Sequence, residues 1–166
     1  MPYNPSMPML EVVAAGLPTA AALNSPEGIA WDSAGNAYIT EAGGHRVRKI
    51  DATTGNISTI CGTGVASSTG DSGLATAATI NQPYGIAVDA VNNVYIGEVA
   101  GRRIRKIDAA TGKIATICGS GVASSTGDGG APSATTIFDS RHLLFSKANN
   151  RLYTVDGVGN GVRVIQ

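Results

Sequence analysis

The stretch TICGTGVASSTGD at residues 59–71 recurs with one substitution as TICGSGVASSTGD at residues 116–128. Cys61 and Cys118 place the two copies 57 residues apart. The motifs PEGIAWD and PYGIAVD, further up the chain, have the same spacing. A regular period of this length is typical of propeller blades and solenoids. The chain is therefore built from repeats of about 57 residues.

The composition favours one soluble domain made of short strands. The chain has 166 residues, of which 43% are hydrophobic, 5% aromatic and 14% charged, and it contains 22 glycines. Abundant glycine with few aromatic residues is typical of many short strands joined by tight turns. Twelve basic and twelve acidic side chains give a formal net charge of zero. Because no overall field attracts a polyanion, we do not expect a nucleic-acid partner.

The sequence gives no signal for membrane association. No stretch approaches the roughly 18 consecutive apolar residues that a membrane span needs. The first residues lack a basic region, and Pro8 and Pro18 bound their short apolar run, which argues against a signal peptide. We expect no membrane partner, and the cytoplasm is the default compartment.

The first repeat predicts four antiparallel strands. The segments GIAWD, AYITE, RVRKID and ISTIC alternate with turn-forming sequences between residues 28 and 61. In the GGHR turn, Gly43 and Gly44 are expected to reverse the chain. In the ATTGN turn, Gly55 is free to take a positive φ. Four such strands followed by a long return is the plan of a propeller blade, so residues 28–61 form blade one.

The second repeat follows the same plan, whereas the third is incomplete. Blade two spans residues 85–118, and blade three spans 142–165 with only the strands HLLFS, RLYTVD and GVRVI. At the other end, LEVVAA at residues 10–15 lies just upstream of a segment that aligns with LATAATINQPYG. We therefore predict that residues 10–15 are an orphan fourth strand and that residues 1–166 form a single domain.

The run PYGIAVDAVNNVYIGEVAGRRIRKID, with its preceding GTG…GDSG loop, resembles the NHL repeat family of β-propellers. The resemblance covers nearly the whole chain. It implies an all-β propeller, commonly with six blades, whose innermost strands line a central channel and which binds on one face. Two features depart from the family pattern: the third repeat is degenerate, with SRHLLFSKANN in place of QPYGIAVDAVNN, and only three repeats are present.

Three blades cannot close a ring, because known rings use about four to eight. Two copies related by a two-fold axis make six blades, so we predict a homodimeric propeller. In it, residues 10–15 of each chain pair with residues 161–165 of the other and complete blade three. The expected dimer seam contains Leu10, Val12, Val13, Glu27, Arg141, Val162 and Val164. The alternative is a fragment, or one half of a hetero-assembly.

The residues that precede the innermost strands are expected to surround one mouth of the channel. They are Glu27, Tyr84 and Arg141, and His142 follows directly. In a ring of two copies, Arg141 of one chain neighbours Glu27 of the other. Two interpretations stay open: a polar mouth that binds a small or peptide ligand, or a structural ion pair across the seam, which we favour.

A second set of candidate binding residues ends the second strand of each blade. These residues are Glu41, Glu98 and Asp156, which open turns on the same face. An acidic ring could bind a cation or a basic ligand. We favour local pairing, because arginines such as Arg48 and Arg105 are close in sequence.

The sequence predicts no catalytic residues, no metal site and no cofactor. The loops around Asp71 and Asp128 offer one carboxylate each, whereas calcium takes six to eight oxygens, so we expect these carboxylates to accept hydrogen bonds within turns. We predict a non-enzymatic binding or scaffolding module for an unknown protein, peptide or small-molecule ligand. The alternative is a metal-dependent hydrolase or lyase in which Glu27 and His142 converge at the channel mouth.

Overall fold

A computed structural model describes residues 22–127, 129–131, 134–159 and 161–165. In these residues the chain forms eleven strands and one 3-10 turn, Ala75–Ala77. The strands are β1 (Pro26–Trp31), β2 (Ala37–Glu41), β3 (Arg46–Ile50), β4 (Ile57–Cys61), β5 (Pro83–Val88), β6 (Val94–Glu98), β7 (Arg103–Ile107), β8 (Ile114–Cys118), β9 (His142–Ser146), β10 (Arg151–Asp156) and β11 (Gly161–Ile165). No helix in this described part is long and apolar enough to span a membrane.

The strands form three separate antiparallel sheets, one for each repeat. Blade one has the order β1-β2-β3-β4, blade two has β5-β6-β7-β8, and blade three has β9-β10-β11. This confirms the prediction of an all-β propeller fold. Strands β1 and β5 begin at Pro26 and Pro83, two residues before the predicted starts. The predicted strand at residues 10–15 lies outside the described residues.

The blades pack face to face, with β1, β5 and β9 side by side at the centre. One apolar cluster joins blades one and two and includes Tyr38, Ile86 and Val88. A second cluster joins blades two and three and includes Tyr95 and Leu152. Each blade therefore has an incoming face, which packs on the blade before it, and an outgoing face, which packs on the blade after it.

A repeated polar network fixes the hairpin that joins the first two strands of a blade. The Asp32 carboxylate accepts hydrogen bonds from the backbone N–H of Ala34 and Asn36 and from the Tyr38 hydroxyl, at 2.9 Å each. Asp89 and Tyr95 repeat the hydroxyl contact in blade two at 3.0 Å. These residues stabilise the blade at the end opposite the predicted mouth.

The second hairpins of blades one and two each contain a left-handed residue that is not glycine, His45 and Arg102. In blade one the chain reverses through residues 42–45, which include the predicted Gly43 and Gly44, and the left-handed residue of this turn is His45, with φ of 50°. Gly43 lies close to the segment before β1, where a Cβ at this position would be 2.5 Å from Oδ1 of the Asn24 side chain. Histidine tolerates this conformation better than most residues. Its Nδ1 accepts the backbone N–H of Gln82 at 3.2 Å and so ties blade one to blade two.

Candidate binding site at the channel mouth

The three innermost strands begin at one end of the molecule and bring the predicted mouth residues together. Glu27, Tyr84, Arg141 and His142 line one hollow of about 340 Å³. Glu27, Arg141 and His142 are exposed, and Tyr84 is half-buried. The structure therefore places these four predicted side chains in one shared site.

Arg141 is held in place by an aromatic ring and by an acid. Its guanidinium lies 5.2 Å from the centre of the Tyr84 ring, and its Nε lies 3.4 Å from Oδ1 of Asp139. Asp139 also accepts the backbone N–H of Arg141 at 3.1 Å. Since the Arg141 side chain is still 53% exposed, its fork of donors can meet a planar anion such as a carboxylate. Sequence reasoning missed Asp139, whose only signal was its position two residues before the arginine.

Glycines at the start of the innermost strands allow the blades to approach each other closely. A Cβ at Gly28 would overlap the backbone carbonyl oxygen of Tyr84, and a Cβ at Gly85 would lie 2.5 Å from that of Ser140. The Thr40 hydroxyl donates to the Tyr84 carbonyl at 2.8 Å and fixes the first of these contacts. The spacing of the mouth residues is thus set by contacts between backbones.

The predicted acidic ring lies inside the blades and is not part of the open mouth. Glu41 is 3% exposed, and Glu98 and Asp156 are fully buried. Arg48 pairs with Glu41 at 3.3 Å, and Arg105 pairs with Glu98 at 2.9 Å. The geometry is that of the local pairing favoured from the sequence, and it leaves these carboxylates no open side for a ligand.

Blade two has the most complete version of this buried network. The fully buried Arg105 donates to Glu98 and, at 2.6 Å, to Oδ1 of Asp71 in the loop that joins blades one and two. The Ser68 hydroxyl of the same loop donates to Glu98. The structure thus corrects the expectation for Asp71, which neutralises a buried arginine instead of serving mainly as a turn acceptor. Asp128, its counterpart in the next repeat, lies outside the described residues.

The buried acids differ in the direction of their pKa shifts. Burial raises the pKa of Glu98, although the Ser68 hydroxyl and Arg105 act in the opposite direction. Burial also acts to raise the pKa of Asp156, but hydrogen bonds from the Ser125 hydroxyl and the backbone N–H of Gly159 outweigh it and hold this pKa below its ordinary value. Asp156 is therefore a carboxylate whose charged form stabilises blade three.

Replacing Asp156 with asparagine should reduce the acid sensitivity of the fold. A carboxylate with a lowered folded-state pKa stabilises the protein above its unfolded pKa of about 4, and this stability is lost as the pH falls through the folded value. We expect the urea midpoint of the wild type to fall more between pH 7 and pH 3 than that of Asp156→Asn. Ser125→Ala keeps the Asp156 carboxylate and removes one of its hydrogen-bond donors, so its urea midpoint should fall by an intermediate amount. Equal falls of the midpoint in all three proteins would contradict a stabilising role of the charged carboxylate.

The residues predicted for the dimer seam lie in two places. Val162 and Val164 are 67% and 45% exposed on the outgoing face of blade three. Glu27 and Arg141 lie at the mouth. Leu10, Val12 and Val13 lie outside the described residues.

The described residues contain no cluster of three or more His, Cys, Asp or Glu side chains that could hold a metal ion. Cys61 and Cys118 are buried free thiols. Burial raises the pKa of Cys61 to about 12. The side chains with which the mouth can recognise a ligand are Glu27, Tyr84, Arg141 and His142.

Comparison with known sequences identifies the repeats. The family model of the Teneurin NHL domain matches residues 61–158, more than half of the chain. The NHL repeat-containing protein 2 of Bos taurus is 30% identical over 93 residues, which are 55% of this chain and 13% of that protein. The chain thus spans only a small part of this relative.

Solved structures share the same architecture. A structural genomics protein of unknown function from Bacteroides thetaiotaomicron superposes with a TM-score of 0.75 at 23% identity, covering 89% of this chain and 37% of that one. A catalytically inactive virginiamycin B lyase from Staphylococcus aureus, solved with quinupristin, gives 0.55 at 18% identity, covering 90% of this chain and 40% of that one. At these identities the likeness concerns the fold alone, and the fold is shared by proteins of different function.

Proposed function

Because the chain belongs to the Teneurin NHL domain family of β-propellers, we propose that it is a binding or scaffolding module. The site is the channel mouth, where a protein, peptide or small molecule carrying an anionic group binds. A second copy of the chain completes the ring of blades. The observation that carries the proposal is the convergence of Glu27, Tyr84, Arg141 and His142 on one hollow.

The mouth has the properties of a recognition surface. Its polar side chains come from three strands whose spacing is set by contacts between the blades. Arg141 is 53% exposed, whereas Arg48 and Arg105, which pair with buried acids, are 19% and 0% exposed. Arg141 stacks on Tyr84 and keeps part of its donor fork in solvent. The planar guanidinium of arginine can bind a carboxylate with two parallel hydrogen bonds while it stacks on an aromatic face, so this arrangement suits a carboxylate ligand.

The outgoing face of blade three supports a second copy as the element that completes the ring. In blades one and two the corresponding lysines, Lys49 and Lys106, lie over tyrosine rings at the seam. In blade three this register position is Val164, and Val162 beside it is also largely exposed. No element among the described residues covers this apolar face. We propose that a blade of a second copy packs on it.

The incoming face of blade one offers the complementary surface. Ile29 and Trp31 are 51% and 57% exposed, although their counterparts in blade two, Ile86 and Val88, are 7% and 8% exposed. In a two-fold dimer, blade three of each copy packs on blade one of the other copy, so the apolar faces of both copies are covered. We expect such a dimer to bury on the order of 2,000 Å² or more, the range of obligate interfaces.

In the described part of the chain no strand pairs with the outer edge of β11, and this edge fits an exchanged strand. In blades one and two the third strand pairs with β4 or β8, whereas in blade three β11 borders a groove of about 240 Å³ between itself and the loop glycines Gly127, Gly129 and Gly130. Residues 10–15 supply an apolar segment for this edge. The ten residues that follow can span about 33 Å, more than the roughly 15 Å across three strand spacings of a blade.

A substitution at the seam tests the second copy. Val162→Asp places a charge on the outgoing face of blade three, and we expect the dimer dissociation constant to rise at least about 100-fold in analytical ultracentrifugation. Val122→Asp is the matched control, because Val122 is also largely exposed, at 57%, but lies in the loop between blades two and three. Equal dissociation constants for both variants would contradict this seam.

A peptide library tests the mouth. We expect a phage-displayed random peptide library to yield peptides with acidic or C-terminal carboxylate groups that bind the wild type and lose at least about tenfold in affinity with Arg141→Ala. Lys147→Ala, an exposed cation in the β9–β10 turn, should leave the affinity unchanged. Peptides that bind Arg141→Ala as tightly as the wild type would place the binding surface elsewhere, and the recovery of no peptides would overturn peptide binding at the mouth.

A metal-dependent hydrolase or lyase is the second candidate. It is favoured by one observation, that His142 and Glu27 line the same hollow. A stoichiometric divalent metal in the purified protein, lost with His142→Ala, would favour this candidate over the binding module.

A further inference from the structure

The register of blade three puts a histidine where the other blades require glycine. Gly85 pairs with Gly97 between β5 and β6, and His142 pairs with Val155 between β9 and β10. The glycines lie against the backbone of the following blade, where a Cβ at Gly85 would be only 2.5 Å from the carbonyl oxygen of Ser140. A histidine in the same arrangement cannot fit without separating the two backbones.

Other positions on this face are larger as well. Leu144 of blade three occupies the register position of the buried Ala87 of blade two and is 66% exposed. Val155 takes the place of Gly97 and is 43% exposed. Three neighbouring positions on the outgoing face of blade three thus carry more side-chain volume than those that form the seam between blades two and three.

We propose that the seam between blade three and blade one of a second copy is wider at the channel than the two seams inside the chain, and that the His142 side chain fills it. This inference rests on the proposed two-copy ring. An identical seam would drive the Cβ of His142 into the backbone carbonyl of the partner's Glu27, which corresponds to Tyr84 in the first seam. Because interiors are close-packed, the extra space must be occupied, and His142 is the side chain that enters it.

The outgoing face of blade three contains a hollow that can receive a side chain from blade one of the second copy. It measures about 250 Å³ and is lined by His142, Leu144, Val155 and Val162, together with Leu143, Tyr153 and Thr154. In the first internal seam Ile86 lies close to Gly28, with its Cγ2 3.1 Å from where a Cβ would be. The partner's Ile29 corresponds to Ile86 and therefore enters the hollow beneath the imidazole of His142.

The wider seam changes the symmetry of the binding mouth. The ring has two wide seams between the copies and four narrow seams inside them. Because the two wide seams lie on opposite sides of the ring, the mouth is elongated and has two equivalent ends. At each end His142 and Arg141 of one subunit face the partner's Glu27. His142 is thus the residue that sets the shape of the mouth and the specificity of the seam for a second copy of this chain.

The test compares dimer dissociation constants by analytical ultracentrifugation. His142→Gly empties the seam, and we expect dimerisation to weaken at least about tenfold. His142→Ala should change it in the same direction without adding backbone freedom. Lys147→Gly, the same replacement at an exposed turn position of blade three, should leave the constant unchanged.

The sign of the effect separates the possible results. Tighter dimers of His142→Gly would mean that the closing seam copies the internal seams and that His142 strains it. An unchanged constant would mean that His142 lies outside the seam, and either result overturns the inference while the two-copy ring stands. A wild-type protein that is monomeric at all concentrations would overturn the two-copy ring itself.

Discussion

Replacing Arg105 with methionine is expected to lower the free energy of unfolding by about 3–5 kcal/mol, because it leaves a buried acid without its counter-charge. Arg105 and Glu98 are both fully buried and lie 2.9 Å apart. Burial already raises the pKa of Glu98, so the variant should bind a proton at this carboxyl on folding. Urea unfolding at fixed protein concentration measures the loss.

Blade one contains the matched control for this prediction. Arg48 is 19% exposed and makes a single ion pair with Glu41 at 3.3 Å. Arg48→Met should therefore cost less, about 1–2 kcal/mol. The double variant Glu98→Met with Arg105→Met should recover part of the stability, because apolar side chains of similar size often replace a buried ion pair without loss. Equal losses for Arg48→Met and Arg105→Met would show that the blade-two network adds nothing.

Replacing Gly97 with alanine is expected to destabilise the protein by about 3 kcal/mol or more, by forcing blades two and three apart. A Cβ at Gly97 would overlap the backbone carbonyl oxygen of Ser140, and Ser140 is itself almost completely buried. The backbone must therefore move, since no flexible side chain can give way. Thermal and urea unfolding both report the loss.

Gly157→Ala is the control for this substitution. A Cβ at Gly157 would lie 3.5 Å from Oδ2 of Asp139, an ordinary contact with a side chain. We expect its stability to stay within about 0.5 kcal/mol of the wild type. If Gly97→Ala lowered the free energy of unfolding no more than Gly157→Ala does, the backbones of blades two and three would not lie this close together in the folded protein.

The repeat period made the strands predictable from the sequence. Cys61 and Cys118 set the register, and the turn sequences between the apolar segments located the hairpins. The mouth residues followed from the same alignment, because the position before each innermost strand is equivalent in every blade. Periodicity therefore determined the fold and the placement of Glu27, Tyr84 and Arg141.

Contacts between repeats could not be predicted in this way. Asp71 reaches Arg105 across 34 residues and out of its own blade, and the backbone oxygen of Ser140 that requires Gly97 comes from the next blade. The left-handed conformation of His45 could not be read from the turn sequence either, because the two glycines before it adopt this conformation more readily. Such choices depend on packing that only the assembled blades provide.

The ring of two copies is tested by the mass in solution of the full chain and of a variant lacking residues 1–15, measured by light scattering on a sizing column. We expect the full chain to have twice its mass of 16.7 kDa, and the truncated chain to lose this dimer or to aggregate through the uncovered edge of β11. A stable, compact monomer of 16.7 kDa that keeps its fold would contradict the ring of two copies. In that case the apolar faces of blades one and three would have to be covered by another partner.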